Sequence, residues 1–226
     1  MIRKESRTFN MSVEGINCER LYFLHLEKLI NDSGSNKYNL KVNPKVASPM
    51  QYAKRIAGRP SDSKNRKKLP YIHVQDIEDY NSEFHRRKFY GIIDEMRAAE
   101  SEFGISYNLG YSNYTFELWM LLHVADMTHS VQDRHSYLAP INRWFNKNYS
   151  DVDEFKAEAE FKSVLNDYVT LDSIKQAIIR AERIVCMNQE ECKKKENYHG
   201  FTYYHDNPDL SVHDVIKLIF DVCEVK

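Results

Sequence analysis

The chain has 226 residues, of which 42% are hydrophobic and 29% charged, and its formal net charge is −1. This length can bury one large hydrophobic core, and the near-neutral charge argues against a protein that is basic over its whole surface. No apolar run approaches the roughly 20 residues of a membrane-spanning helix, and the charged start (Arg3, Lys4, Glu5, Arg7) lacks a signal-peptide core. We therefore expect a cytoplasmic protein.

The first half of the chain alternates between strand and helix patterns. Strands are predicted over residues 7–13, 38–46, 69–74 and 105–109, and helices over residues 18–30, 48–58 and 80–103. Gly15 permits a tight turn after the first strand, and Ser48 with Gln51 is typical of a capping box at the start of the second helix. This order implies a parallel sheet with helices on both faces, whose ligands bind beyond the carboxyl ends of the strands.

The second half has a helical pattern. Helices are predicted over residues 116–124, 134–147, 152–168, 171–189 and 211–222. Residues 112–115 offer caps for the first of these helices, which is apolar nearly all round and is therefore expected to be buried. The charged run over residues 190–196 is interpreted as a solvated helix end. The four cysteines, Cys18, Cys186, Cys192 and Cys223, have no zinc-type spacing and are interpreted as reduced thiols.

Acidic side chains follow two of the predicted strands. Glu14 comes directly after the first strand, and Asp76, Glu78 and Asp79 end the third. Because strand residues alternate in direction, Asp76 and Glu78 are expected on the same side, where two carboxylates can bind one hard cation such as Mg²⁺. The alternative is a solvated acidic turn that leads into the next helix, whose dipole favours acidic residues at its start.

Basic residues are concentrated near the third strand. From Lys41 to Lys68 there are nine Lys or Arg residues and a single acid, Asp62. Within this stretch we predict nucleic-acid contacts from Lys64, Arg66, Lys67 and Lys68, and further contacts from Arg86 and Arg87 in the next helix. The alternative is that both basic segments are merely solvated.

Glu117 and His123 are the ionisable residues of the apolar helix predicted over residues 116–124. Six residues rotate the chain by roughly 120° around a helix, so the two side chains do not share one face. The helix dipole favours Glu117 in the first turn, and His123 can donate to terminal carbonyl groups. Structural roles are therefore predicted, although a buried Glu near a metal can also support the metal's ligands.

Several motifs together resemble the RloB-like family, a TOPRIM-related group of bacterial proteins that includes abortive-infection components. The motifs are Val13-Glu14-Gly15, Glu19-x-x-Tyr22-Phe23, Asp76-x-Glu78-Asp79, the segment Ser112-Asn113-x-x-Phe116-Glu117-Leu118-Trp119-x-Leu121-Leu122-His123, Asn207-Pro208 and Val212-His213. They fall in the family's order over nearly the whole chain, and the segment around Trp119 is the most specific.

The resemblance implies a TOPRIM-like Rossmannoid core over residues 1–111 and a helical region over residues 112–226 packed on it. It implies that Glu14, Asp76 and Glu78 are catalytic and bind Mg²⁺ or Mn²⁺, with Asp79 as a further ligand. Glu78 departs from the family pattern, because it is longer by one methylene than the usual Asp.

The resemblance also implies supporting positions and a partner. Asn113, Glu117 and His123 would support the ligand side chains, and a partner ATPase of the same defence locus would control the protein. Two functions stay open at this stage. One is a metal-dependent nuclease acting on DNA or RNA, and the other is a regulatory subunit that has lost turnover.

Overall fold

The computed structural model describes residues 4–57, 69–79 and 81–226. The strands are β1 (Ser6–Val13), β2 (Asn39–Val46), β3 (Tyr71–Asp76), β4 (Tyr107–Asn113), β5 (Lys195–Tyr198), β6 (Phe201–Tyr204) and β7 (Asp209–Leu210). The helices are α1 (Cys18–Ser33), α2 (Pro49–Ala57), α3 (Glu83–Phe103), α4 (Glu117–Leu122), α5 (Leu138–Trp144), α6 (Val152–Lys156), α7 (Glu158–Tyr168), α8 (Leu171–Glu190) and α9 (Val212–Cys223). A 3₁₀ turn over Arg134–Tyr137 precedes α5.

A five-stranded sheet with the order β2-β1-β3-β4-β7 forms the centre of the fold. The first four strands are parallel, and β7 pairs antiparallel with the end of β4. The chain moves outward from β1 to β2 and then returns to place β3 on the other side of β1. The strand order therefore reverses between β1 and β3, and in doubly wound sheets such a point leaves a crevice at the carboxyl ends of the strands. The prediction of a parallel α/β sheet is confirmed.

Helices cover both faces of this sheet. Met11 and Val13 of β1 and Ile72 and Val74 of β3 belong to the largest hydrophobic cluster, together with apolar residues of α1. Alternate residues face the other way, where Tyr71 clusters with residues of α2 and α3. The Ser48–Gln51 capping box is confirmed, since each backbone N–H donates to the side-chain oxygen of the other residue.

The second half of the chain contributes to the same core. The largest cluster combines β1 and β3 with apolar residues of α4, α8 and α9. Gly110 of β4 brings α9 close, because a Cβ at this position would lie 3.1 Å from a methyl group of Val215. Among the described residues, no helix has both the length and the apolar character that crossing a membrane requires.

Predicted boundaries around β4 are wrong. The strand continues through Ser112 and Asn113, which were predicted to be helix caps, because Ser112 pairs with Asp76 on one side and Leu210 on the other. Two neighbouring strands satisfy the backbone groups in this segment, so α4 begins only at Glu117. The helix predicted over residues 80–103 likewise begins only at Glu83.

Several predictions for the second half are also wrong in detail. The helix predicted over residues 152–168 is two helices, because Ala157 has an extended ψ of 136°. The charged run over residues 190–196 begins at the exposed end of α8, as interpreted, but its last two residues belong to the β5–β6 hairpin. His199 and Gly200 close this hairpin with φ angles of 51° and 89°, as a tight turn between twisted strands requires.

Candidate active site

A cleft of about 300 Å³ opens at the carboxyl ends of β1 and β3, where the strand order reverses. Its walls come from the turn after β1, the start of α1, the end of β3, Phe116 and Lys156. The carboxylates that line it belong to Glu14, Glu19, Asp76 and Glu78. The sheet topology thus concentrates negative charge in the place where doubly wound sheets bind ligands.

Glu14 follows β1 and stays beside β3, because its backbone N–H donates to the Val74 carbonyl over 3.1 Å. Its Oε2 accepts hydrogen bonds from the Gln75 amide and from the backbone N–H of Asp76, the latter at 3.2 Å. Its Oε1 lies 2.5 Å from Nζ of Lys88 on α3. The two oxygens of Glu14 therefore have different partners, one set in the sheet and one on a helix.

Asp76 is the last residue of β3, and its Oδ1 is buried without a hydrogen-bond partner among the described residues. Burial raises the pKa of Asp76 well above its ordinary value. The nearby carboxylates of Glu19, Glu117 and Glu14 raise it further, and Lys156 opposes them. Binding of a cation or a proton stabilises a buried carboxylate oxygen of this kind.

Glu19 in the first turn of α1 was missed as a site residue. It is 3% exposed, and its Oε2 also lacks a hydrogen-bond partner among the described residues. Burial, with Glu117 and Glu14 nearby, raises the pKa of Glu19 to about 7. Gly15 makes room for it, since a Cβ at position 15 would lie 1.8 Å from Glu19 Oε2. Gly15 is thus required for this close approach, and its φ is not in the left-handed region.

Glu117 and Lys156 form an ion pair, and Lys156 lines the cleft. Glu117 is the first residue of α4 and is 1% exposed, and its Oε1 lies 3.1 Å from Lys156 Nζ. Burial alone would lower the pKa of the Lys156 ammonium group, but the carboxylates of Glu117 and Asp76 hold it above its ordinary value. Lys156 therefore places a positive charge among the buried carboxylates.

Glu78 and Asp79 lie beyond the end of β3, and the structure separates them. Glu78 has a φ of 58°, so strand alternation stops at Asp76, and its Oε2 lies 3.8 Å from Lys88 Nζ. Since Glu14 and Glu78 share Lys88 as a neighbour, their carboxylates lie close together. Asp79 is exposed and does not line the cleft. Its Oδ1 accepts from the backbone N–H of Asn81 and stabilises the turn before α3.

His85 lies between these two acidic residues. Its Nδ1 is 3.2 Å from both the Asp79 amide nitrogen and Glu78 Oε2. A neutral ring accepts the Asp79 N–H at this atom, whereas only a protonated Nδ1 pairs with Glu78, so the two contacts are alternatives.

Residues 11–219 match the family model described as RloB-like protein, which is nearly the whole chain. The chain belongs to the RloB-like family. No curated protein and no solved structure matches it.

Of the three supporting residues predicted in this RloB-like chain, only Glu117 reaches the buried carboxylates. Asn113 ends β4 and donates to the His205 carbonyl over 3.1 Å. His123 lies in the core, where its Nδ1 is 2.9 Å from the Trp119 carbonyl and burial lowers its pKa to about 4. Neither Asn113 nor His123 lines the cleft.

The predicted nucleic-acid contacts fall in two places. Lys64, Arg66, Lys67 and Lys68 lie outside the described residues. Arg86 and Arg87 lie near the start of α3, where Arg87 is exposed and forms an ion pair with Glu83 one turn earlier. The next residue, Lys88, is the one that reaches the carboxylates of the cleft.

The sequence contained a weak signal for Glu19 and none for Lys156. Glu19 belongs to a family motif and precedes an apolar stripe, so its burial next to Glu14 could have been predicted. Lys156 is separated from Asp76 by 80 positions, and only the tertiary fold brings α6 to the cleft, where Asn17 donates to the Lys156 carbonyl.

The donor chemistry of the cleft fits a hard divalent cation, for which carboxylate oxygens are the preferred ligands. Asp76 Oδ1 and Glu19 Oε2 are buried oxygens without hydrogen-bond partners among the described residues. The side chains do not form a coordination shell, because no three His, Cys, Asp or Glu residues in the described ranges are arranged to hold a metal ion. In this arrangement Lys88 and Lys156 supply the positive charge that balances part of the carboxylates' negative charge.

Proposed function

We propose that this RloB-like chain is a cytoplasmic nuclease that requires Mg²⁺ or Mn²⁺ and cleaves phosphodiester bonds of DNA or RNA. The observation that supports it most is the pair of buried, unpartnered oxygens on Asp76 and Glu19 at the point where the strand order reverses. Isolated buried carboxylates are costly to a fold, and a cation-binding role explains why a protein retains them.

The residues that would hold the cation are Asp76, Glu19 and Glu14, with Glu78 at the outer edge of the cleft. A bound divalent cation supplies neutralisation of phosphate charge and activation of water. Lys156 lines the cleft, and Lys88 pairs with Glu14 and Glu78, so an anionic phosphate that enters would meet two positive charges. In this proposal the Glu14 carboxylate would accept a proton from an attacking water.

Contacts to the nucleic-acid backbone would come from the two basic segments. Arg86 and Arg87 precede Lys88 in α3, and we propose that they contact phosphates outside the cleft. We propose that Lys64, Arg66, Lys67 and Lys68 extend this basic surface. Such contacts neutralise phosphates and provide affinity without sequence preference.

The biological setting in this proposal comes from the resemblance to the family. The nuclease would be the effector of an anti-phage, abortive-infection system, and a partner ATPase would control its activity. Co-expression with the ATPase encoded beside it, followed by co-purification, tests the partnership separately from the chemistry.

A regulatory subunit without turnover is the second candidate. It is favoured by the ion pairs of Lys88 with Glu14 and of Lys156 with Glu117, which already balance part of the negative charge. In that function the acidic cleft would be held closed by its own lysines, and the chain would bind nucleic acid or the ATPase without cleaving.

Incubation of the purified protein with mixed DNA and RNA separates the two candidates. We expect cleavage in Mg²⁺ or Mn²⁺ and none in excess EDTA, with activity restored when Mn²⁺ is added back. If no nucleic acid is cleaved with either metal, both alone and with the partner ATPase, the nuclease proposal is wrong and the regulatory candidate takes its place.

A further inference from the structure

Three buried polar side chains form a row across β1 and β3 on one face of the sheet. Ser12 of β1 and His73 of β3 are direct neighbours in the parallel pairing, and Gln75 lies two residues further along β3. All three are buried. Because their neighbours Val13 and Val74 face the main hydrophobic cluster, these polar side chains face the opposite side of the sheet.

Hydrogen bonds join these side chains into a chain that ends on Glu14. The Ser12 hydroxyl lies 2.7 Å from His73 Nδ1, and His73 Nε2 lies 3.4 Å from Gln75 Oε1. The Gln75 amide nitrogen then donates to Glu14 Oε2. The contact between His73 and Gln75 is the longest of the three and is the weakest link.

The carboxylate at the end determines the direction of every bond in this chain. An ionised Glu14 only accepts hydrogen bonds, so the amide nitrogen of Gln75 faces it and the amide oxygen faces His73. His73 must then carry its proton on Nε2 and accept the Ser12 hydroxyl proton at Nδ1. Burial lowers the pKa of His73 to about 4, which agrees with a neutral ring that has one donor and one acceptor.

The hydrogen-bond chain gives the two Glu14 oxygens different partners. Oε2 receives N–H donors from Gln75 and from the Asp76 backbone, whereas Oε1 faces Lys88 at the cleft. We propose that Gln75, held in turn by His73, is a positioning residue that fixes the Glu14 carboxylate and thereby raises the affinity of the cleft for a divalent cation. The part about cation affinity rests on the proposed function, and the hydrogen-bond chain does not.

Nuclear magnetic resonance of the imidazole nitrogens tests the chain itself in EDTA at neutral pH. We expect His73 to be neutral with its proton on Nε2, and Gln75→Leu to broaden or shift that signal because its acceptor is lost. A proton on Nδ1, or a charged ring, in the wild-type protein would overturn the proposed direction of the bonds. This readout needs neither metal nor nuclease activity.

Binding of Mn²⁺, followed by electron paramagnetic resonance, tests the link to the cleft. We expect Gln75→Leu to weaken Mn²⁺ binding about 10- to 100-fold, as removal of a residue that orients a ligand commonly does. Ser12→Ala, at the far end of the chain, should weaken it less. The matched control is Ile219→Ala, which removes core packing on α9, away from the cleft. It should lower the melting temperature but leave Mn²⁺ affinity unchanged.

The outcomes separate this inference from the proposed function. If the wild-type protein binds Mn²⁺ and Gln75→Leu binds it equally well, the positioning role is wrong while the cation site stands. If the wild-type protein binds no Mn²⁺, the proposed function and the affinity claim fail together, and the imidazole signal alone decides the hydrogen-bond chain.

Discussion

At the scale of single residues, the lack of a side chain at Gly15 allows the Glu19 carboxylate to add its charge to the cleft. Glu19 Oε2 occupies the space that a side chain at position 15 would need. The absence of a Cβ at position 15 therefore leaves the space that the Glu19 carboxylate occupies near Asp76, and this can be tested directly.

We predict that Gly15→Ala moves the Glu19 carboxylate and lowers Mn²⁺ affinity, because the new Cβ would lie 1.8 Å from Oε2 if nothing moved. Calorimetric titration with Mn²⁺ measures the change. Gly91→Ala in α3 is the control, since its Cβ would meet no atom within 4 Å and Ala favours a helix by roughly 0.5–1 kcal/mol. Equal Mn²⁺ affinity in Gly15→Ala and wild type would show that cation binding does not depend on the space at position 15.

The raised pKa of Glu19 predicts a pH dependence of stability. An unfolded Glu ionises near 4.5, and burial raises the folded value to about 7. The folded state binds the extra proton, so this contribution to stability is fully present below pH 4.5 and is lost as the pH rises through 7.

We expect Glu19→Gln to flatten this part of the profile and to be more stable than wild type above pH 7, by on the order of 2–3 kcal/mol. Urea unfolding in EDTA at several pH values measures it. Glu100→Gln, at an exposed site on α3, should leave the profile as it is in the wild-type protein. A difference between the wild-type and Glu19→Gln profiles that does not grow between pH 4.5 and 7 would contradict the burial of an ionisable Glu19.

Much of the site was predictable from residue positions, and part of it was not. Glu14 and Asp76 come together because parallel strand ends share one edge of a sheet, a relation that the order of elements already implies. The contact of Gln75 with Glu14 could not be predicted, because a Gln in a strand has no evident role until its cross-strand neighbour is known. Lys156 depends on tertiary packing alone.

At the scale of elements, the β5–β6 hairpin is where sequence patterns were least informative. Its strands have four residues each, and charged residues lead into it. The pair His199-Gly200, flanked by aromatic residues, was the available signal for a tight turn. β3 was predictable because the apolar run over residues 69–74 is typical of a strand that is buried on both faces.

We predict that Gly200→Ala destabilises the protein by about 1–2 kcal/mol, because residue 200 has a φ of 89° that an L side chain disfavours. The hairpin packs on α3 through Tyr198, whose ring stacks on Tyr90 at 4.0 Å. Chemical denaturation measures the loss, and hydrogen exchange should report it first in residues 195–204. A variant as stable as wild type would contradict this turn geometry.

At the scale of the whole molecule, the net charge is only −1, so nucleic acid is expected to bind at local basic segments. We predict that joint replacement of Lys64, Arg66, Lys67 and Lys68 by Ala weakens binding and flattens its dependence on salt, because fewer counterions are released. Fluorescence anisotropy between low and high salt measures the slope.

The control for this prediction replaces Lys193, Lys194 and Lys195, which lie outside both basic segments, and should keep the wild-type slope. An unchanged slope in the first variant would leave these four residues as solvated charges.

The central claim is that the buried carboxylates between β1 and β3 bind a divalent cation for cleavage. Asp76→Asn keeps the shape of the side chain and removes its charge from a crowded acidic cluster. The apo protein should therefore melt at the same temperature or higher, as like-charge repulsion is relieved. Asp79→Asn is the matched control, because Asn keeps the acceptor that stabilises the turn.

The most direct measurement is nucleic-acid cleavage by the wild-type, Asp76→Asn and Asp79→Asn proteins across a Mn²⁺ titration, with melting temperatures recorded in EDTA. We predict that Asp76→Asn loses both cleavage and Mn²⁺ binding while it remains folded, and that Asp79→Asn keeps both. Full activity in a folded Asp76→Asn protein would contradict the account.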